Sequence, residues 1–282
     1  MKLTILIHCS DSVGIISAVT NFLHRKGGNV IYLDQHVDQE TGVFFMRLES
    51  EFEKTFDLPK FKKEFQITLV EPFKMEWSVH VAGVKPKMAI FVSKYNHCLY
   101  DLLSRYNSGE LDVEIPFIIS NHLDLDYIAK QFEIPFCHIP VTKTNKDLAE
   151  KEQLRLLIEK SVDFIVLARY MQIVSSNLIS LYPNKIINIH HSFLPAFAGA
   201  KPYHAAYERG VKIIGATSHY VTEELDAGPI IDQDVTTVSH SHSIQDFLAK
   251  GRDLEKIVLS RAVKLHLQNK TMVYNNKTVI FT

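Results

Sequence analysis

The 282-residue sequence is poor in the features that mark specialised protein classes. Its three cysteines, Cys9, Cys98 and Cys137, are scattered without a C-x-x-C spacing. That excludes a disulfide framework and fits reduced thiols in a cytoplasmic protein. Neither charge sign is in excess: 31 Lys and Arg face 32 Asp and Glu, so neither nucleic acid nor an anionic membrane is expected as a partner. No apolar run approaches the roughly 18 residues needed to span a bilayer. The apolar stretch before His8 is too short for the core of a secretion signal. Internal repeats and low-complexity tracts are also missing. An apolar content of 46% suits an ordinary globular chain of one large or two modest domains.

What is present falls into two blocks. Residues 1–83 follow a strand-helix-strand-strand-helix-strand rhythm. Leu3–Ile7 reads as a strand, and Ile15, Ala18, Val19, Phe22 and Leu23 then recur at helical spacing before Gly27-Gly28. Asn29–Val37 and Val43–Glu49 flank the turn 38–42, a short helix is expected over Leu58–Phe65, and Met75–Val81 closes the block. The polar break Gly83–Lys87 marks a boundary, giving domains 1–83 and 84–282. Beyond it, strands are expected at Met88–Val92, Glu114–Ser120, Phe136–Ile139, Phe164–Leu167, Ile186–Ile189, Ile213–Tyr220 and Ile230–Val235. Helices are expected at Leu99–Arg105, Asp124–Phe132, Lys146–Lys160 and Ile244–Gln268. Apolar strands alternating with helices predict an α/β domain with a mainly parallel, Rossmann-like sheet, whose ligands bind beyond the carboxyl ends of the strands.

Asn188 and His190 stand at one such strand end, and Asp226 follows in a loop closed by Gly228-Pro229. An amide donor, an imidazole and an acid are the groups that acyl chemistry without a metal requires. Taken singly, each has a plainer explanation: Asn188 as a strand-end cap, Asp226 as a turn former. His190, His191, His204 and His219 could alternatively gather around zinc, but no compact ligand spacing accompanies them, and no metal is expected.

The first block resembles an ACT domain, a small α+β module of ferredoxin-like βαββαβ pattern. The carrying residues are Cys9-Ser10-Asp11-Ser12-Val13-Gly14-Ile15-Ile16 and Gly27-Gly28-Asn29-Val30. The resemblance implies an amino-acid effector near Asp11, Val13, Gly14 and Asn29, and assembly into a homo-oligomer. A free helix start at Gly14 would suit a carboxylate, although Ser10 or Asp11 could simply cap the helix.

Residues 86–282 resemble the folate-dependent formyltransferase family. The stretch Ile187-Asn188-Ile189-His190-His191-Ser192-Phe193-Leu194-Pro195-Ala196-Phe197 is similar to its strand-end motif, and His219-Tyr220-Val221 with Leu225-Asp226-Ala227-Gly228-Pro229-Ile230 to its second motif. The resemblance implies Asn188, His190 and Asp226 as catalytic residues, with Asn188 and His190 stabilising an oxyanion and Asp226 assisting proton transfer. It implies a folate site in which the main chain at Met171, Ile173 and Val174 reads the pteridine, with Glu223 and Leu225 alongside. The one-carbon donor would be 10-formyltetrahydrofolate as substrate, with no cofactor.

The acceptor decides the reaction. Glycinamide ribonucleotide transformylases, which this block resembles, cradle a phosphate on a glycine-rich loop after the first strand. Here that turn is Ser93-Lys94-Tyr95-Asn96-His97-Cys98-Leu99, without glycine. His191, the run Gly199-Ala200-Lys201-Pro202-Tyr203-His204 and the ACT-like block are similar to the deformylase branch of the family. Hydrolysis by water is therefore expected, supplying formate to one-carbon metabolism and purine biosynthesis. The alternatives are formyl transfer to an amine and an amino-acid-binding regulator with an inactive second domain.

Overall fold

The computed structural model describes residues 1–196 and 202–281. They divide into two compact units. The first comprises Met1–Val84 with Asn269–Met272, Ile280 and Phe281; the second comprises Lys85–Gln268 and Val273–Val279. This differs from a cut into 1–83 and 84–282 at the C-terminus. The reason is local. Buried Arg47 donates from Nε to the carbonyl of Asn269 at 2.9 Å, and the Phe281 N–H bonds to the Lys270 carbonyl.

In the first unit the chain runs through β1 (Lys2–Ser10), α1 (Ile15–Arg25), β2 (Asn29–Asp38), β3 (Val43–Glu51) and α2 (Leu58–Phe65). A π turn at Gln66–Val70 leads into α3 (Glu71–Phe73) and then β4 (Glu76–Val81). The strands form an antiparallel sheet in the order β2-β3-β1-β4. One face of β1, carrying Leu3, Ile5, Ile7 and Cys9, packs on Ile15, Val19, Phe22 and Leu23 of α1 and on Phe61 and Phe65 of α2. Burying such side chains stabilises by about 1.5–3 kcal/mol each. α1 stops where Gly27 and Gly28 turn their N–H groups back to the carbonyls of His24 and Leu23. The π turn and α3 extend the expected helix. Pro72 sits at the start of α3, directly after the π turn.

The second unit contains β5 (Met88–Val92), α4 (His97–Asn107), β6 (Ile118–Ser120), α5 (Asp126–Gln131), β7 (Phe136–His138), α6 (Lys146–Glu159) and β8 (Phe164–Leu167). α7 (Ser176–Leu181), β9 (Ile186–His190), α8 (Pro202–Arg209), β10 (Ile213–Tyr220), β11 (Ile230–Thr237) and α9 (Ile244–Leu267) follow. The seven-stranded sheet is ordered β11-β10-β9-β8-β5-β6-β7. β9 through β7 pair in parallel, while β10 is antiparallel to both of its neighbours. From β5 the chain moves outward to β6 and β7, then crosses back through α6 to β8 on the other side of β5. That reversal opens a crevice at the carboxyl ends of β5 and β8, where ligands bind in open α/β sheets.

Two differences from the sequence reading have simple causes. The strand expected from Glu114 begins only at Ile118, because Pro116 has no N–H to give the ladder; Glu114 keeps a single bridge to Lys87. The short helices α7 and α8, and the two-stranded pair β12 (Thr271–Tyr274) and β13 (Lys277–Ile280), were not anticipated. Among the described residues no helix is long and apolar enough to cross a membrane.

Candidate active site

β9 delivers Asn188 and His190 to the same face, since residues two apart in a strand point the same way. β10 lies beside it in antiparallel register, with His219 opposite Asn188 and Thr217 opposite His190. The loop after β10 brings back Asp226, held at a positive φ of 55°. This loop is drawn tight by the Tyr220 N–H, which bonds to the Pro229 carbonyl at 2.9 Å. Gly228 makes that approach possible: a Cβ there would lie 1.8 Å from the Tyr220 carbonyl oxygen.

The three expected residues converge. His190 Nδ1 lies 3.2 Å from Asp226 Oδ2, and His219 Nε2 lies 3.7 Å from Asp226 Oδ1. The hydrogen bond from His190, with the nearby His219 ring as a lesser influence, holds the Asp226 carboxyl well below the usual carboxylate range despite its partial burial. Asp226 is thus a fixed anion at neutral pH. With Nδ1 engaged, His190 Nε2 is buried and has no hydrogen-bond partner among the described residues. His219 Nδ1 faces the carbonyl of Tyr220 at 2.9 Å, which can only accept, so Nδ1 carries the proton. With the proton on Nδ1, Nε2 accepts from the Asn188 amide at 3.2 Å. One Asn188 N–H is used in this way and the other remains for a ligand. His219 thus joins the site as the group that orients Asn188. Its place opposite Asn188 could be found in sequence only by pairing the two strands.

Asn188, His190, His219 and Asp226 line one cavity of about 470 Å³. Met171, Ile173, Val174, Glu223 and Leu225 line it as well. Met171, Ile173 and Leu225 are large apolar side chains left 47%, 61% and 65% exposed, a surface suited to a flat heteroaromatic ring. The main chain of the 171–174 loop is only partly free. The Met171 N–H is already donated to Ser93 Oγ at 3.0 Å, so at this residue the carbonyl is the group left to meet a ligand. The backbone groups of Ile173 and Val174 make no backbone hydrogen bond among the described residues.

The residues suggested for an effector do not all meet. Asp11, Val13 and Gly14 form an exposed turn between β1 and α1, with Gly14 at φ 96° and no side-chain cap on the helix. Asn29 pairs with Glu51, which in turn faces Lys2, whereas Ser10 faces Val43. Asn29 therefore lies at the opposite end of the sheet and cannot share a site with the other three within one chain.

Of the histidines weighed as zinc ligands, His190 and His219 meet at Asp226, whereas His204 is exposed on α8. Among the described residues the one compact set of potential ligands is instead His97, Cys98 and Glu255. Arg169 Nε stands 3.3 Å from the same Glu255 carboxylate, and burial pushes the Cys98 thiol well up, away from the thiolate a metal needs. This set does not suit a cation. Of the run 199–204, residues 199–201 lie outside the described residues. Tyr203 is buried and donates to Glu255 Oε1 at 3.1 Å.

Residues 86–263 match the formyl transferase family and residues 3–57 the ACT domain family. The chain is 49% identical to formyltetrahydrofolate deformylase of Synechocystis sp., over 99% of this chain and 98% of that one. It is 46% identical to the Bacillus subtilis protein of the same name, over 98% and 93%. The crystal structure of a formyltetrahydrofolate deformylase from Pseudomonas syringae pv. tomato superposes with a TM-score of 0.97 at 46% identity, covering 100% of this chain and 95% of that one. With an ACT domain ahead of a formyl transferase domain and such similarity along its whole length, the chain belongs to the formyltetrahydrofolate deformylase family.

Proposed function

We propose that this chain hydrolyses 10-formyltetrahydrofolate to formate and tetrahydrofolate. The observation that carries the proposal is the state of His190: Nδ1 is fixed on an ionised Asp226, while Nε2 is unpartnered in the cavity wall. A water between Nε2 and the formyl carbon loses its proton to His190 as it attacks. The free N–H of Asn188 meets the oxyanion that forms on the formyl oxygen, a contact typically worth about 3–4 kcal/mol of barrier. Collapse breaks the bond between carbon and N10, and the imidazolium returns the proton to N10. In this reading the proton acceptor is His190. Asp226, held too acidic to be an effective base, orients the ring and stabilises its charged form.

Water as nucleophile is supported by the turn after β5. Ser93 Oγ donates to Asn121 Oδ1 at 2.6 Å and accepts from the Met171 N–H. It is thus committed to the protein rather than to a phosphate. The similarity to full-length deformylases supports the same choice. Mixing the protein with 10-formyltetrahydrofolate alone and assaying formate tests the reading. Release without an added acceptor is expected; formyl transfer that requires an amine would overturn it.

An amino-acid effector at the exposed Asp11–Gly14 turn and a homo-oligomer joined through the first unit belong to the same proposal. They are supported by the ACT match and by β2 and β4 as edge strands. A cytoplasmic place of work is supported by three free thiols. Titration calorimetry with amino acids and light scattering test the effector and the assembly.

A further inference from the structure

The cavity holds a cation that the hydrolytic chemistry above does not use. Arg169 lies two residues beyond the end of β8, at the crevice between β5 and β8, and contributes to the cavity wall together with Asn188, His190 and Asp226. It is 8% exposed. A buried arginine at a backbone φ of 63° is unusual, because a side chain with a Cβ is strained in the left-handed region. Such strain persists only where surrounding contacts impose it, and it concentrates at ligand sites.

Those contacts fix the guanidinium from two sides. Its carbon lies 4.9 Å from the ring centre of Tyr95, which rises from the turn after β5. Its Nε stands 3.3 Å from Glu255 Oε2, close enough to pair in charge but not aligned as a hydrogen bond. Glu255 is itself held by His97 Nε2 at 2.8 Å and by the Tyr203 hydroxyl at 3.1 Å. Gly251, one turn earlier in α9, lets the Tyr203 ring lie against the helix: a Cβ there would come within 2.2 Å of it. Among the described residues the terminal nitrogens of Arg169 make no hydrogen bond, Nε is buried without one, and the residue lines the cavity. A planar pair of N–H donors, fixed in place and unpaired, matches a carboxylate.

We propose that Arg169 forms an anion subsite in the catalytic cavity that binds formate, the small carboxylate released from the formyl group. The subsite rests on the hydrolytic reading for the identity of its ligand. Glu255 offsets part of the guanidinium charge, so binding is weak and the product can leave. Tyr95 and Glu255 are positioning residues that act through Arg169.

Carbon-13-labelled formate is the probe, and line broadening of its NMR signal by the protein needs no turnover. Wild type is expected to broaden the signal, with and without bound tetrahydrofolate. Arg169→Gln should bind formate about tenfold or more weakly, the loss of a charge-assisted pair, and formate should inhibit it correspondingly less. Arg169→Lys should fall between, since it keeps the charge but not the fork. Unchanged broadening and inhibition in a folded Arg169→Gln would overturn the subsite. Should that variant not fold, Tyr95→Leu removes a partly exposed ring that lies against the guanidinium and edge-on to His97, and leaves Arg169 itself in place. A severalfold loss of formate affinity in Tyr95→Leu supports the proposal, and no change counts against it. If wild type binds formate through Arg169 but releases none from 10-formyltetrahydrofolate, the hydrolytic reading fails and the subsite stands. If turnover is normal and formate binding ignores Arg169, the reverse holds.

Discussion

His190 Nδ1 and Asp226 Oδ2 meet at 3.2 Å although they leave different elements of the fold. His190 ends the parallel strand β9, and Asp226 sits in the loop that joins the antiparallel strands β10 and β11. The contact therefore depends on the antiparallel strand β10 that lies between β9 and β11. It also fixes a division of labour, because an acid held ionised by two imidazoles orients a base better than it acts as one.

Replacing Asp226 should separate catalysis from binding. Asp226→Asn and Asp226→Ala are expected to lower kcat for formate release by about 10²–10⁴-fold, the usual range for a lost acid–base partner. Tetrahydrofolate affinity, followed by intrinsic fluorescence, should change little, since the apolar part of the cavity at Met171, Ile173 and Leu225 is untouched. Near-normal turnover in either variant would sink the proposed mechanism.

Asn188→Ala removes the donor that meets the oxyanion. A fall of about 10²–10³-fold in kcat with a small change in KM is expected. His219→Ala should fall in the same direction but less far, because His219 orients the amide at 3.2 Å without touching the reacting atoms. A KM effect alone in both variants would place Asn188 in substrate binding instead.

How far the site was legible in the sequence follows the range of the forces that build it. Asn188 and His190 were readable as a pair because two residues on one strand share a face. The alternating strands and helices announced a mainly parallel sheet. His219 could be assigned its task only through the strand register, and Arg169 only through a backbone angle and contacts with the turn after β5 and with α9. The Met171 N–H is taken by Ser93, on the neighbouring strand end, a tertiary hydrogen bond with no local signal. Asn29 was grouped with Asp11 for want of a register. The antiparallel pairing places them at opposite ends of the sheet.

Gly228→Ala tests the loop that carries Asp226. The added Cβ would lie 1.8 Å from the Tyr220 carbonyl oxygen, so backbone must move. Overpacking of this kind costs typically about 1–3 kcal/mol. The urea midpoint should fall, and kcat should fall further than the stability loss explains, because the shift carries Asp226 from His190. A variant that loses stability but keeps full turnover would show that the loop does not set the contact.

Glu255→Ala should be among the more destabilising single changes in the second unit. Burial by itself would raise the pKa of this carboxyl, but the His97 hydrogen bond and the charges of Arg169, His97 and His191 outweigh it and keep Glu255 ionised. Removing it leaves the Arg169 cation buried without its counter-charge, a loss of about 3–5 kcal/mol for such pairs. Glu255→Gln keeps the shape and should cost less. Equal denaturant midpoints for wild type and Glu255→Ala would show that the pair adds nothing.

Acid should weaken the fold through Asp226 in a defined window. Its carboxyl is held below the unfolded value of roughly 3.9. A group depressed in this way contributes stability that is complete above the unfolded pKa and is lost as the pH falls through the folded one. The stability difference between wild type and Asp226→Asn should therefore not shrink between about pH 8 and pH 5, where Asp226 is ionised in both states. It should shrink below about pH 4, where the unfolded chain takes up the proton first. The facing groups are His190 and His219, and protonating either ring strengthens its attraction to the anion, so neither can bring the shrinkage forward. Thermal melts of both proteins across this range are the check, and a difference that declines already between pH 7 and pH 6 would contradict the depressed carboxyl.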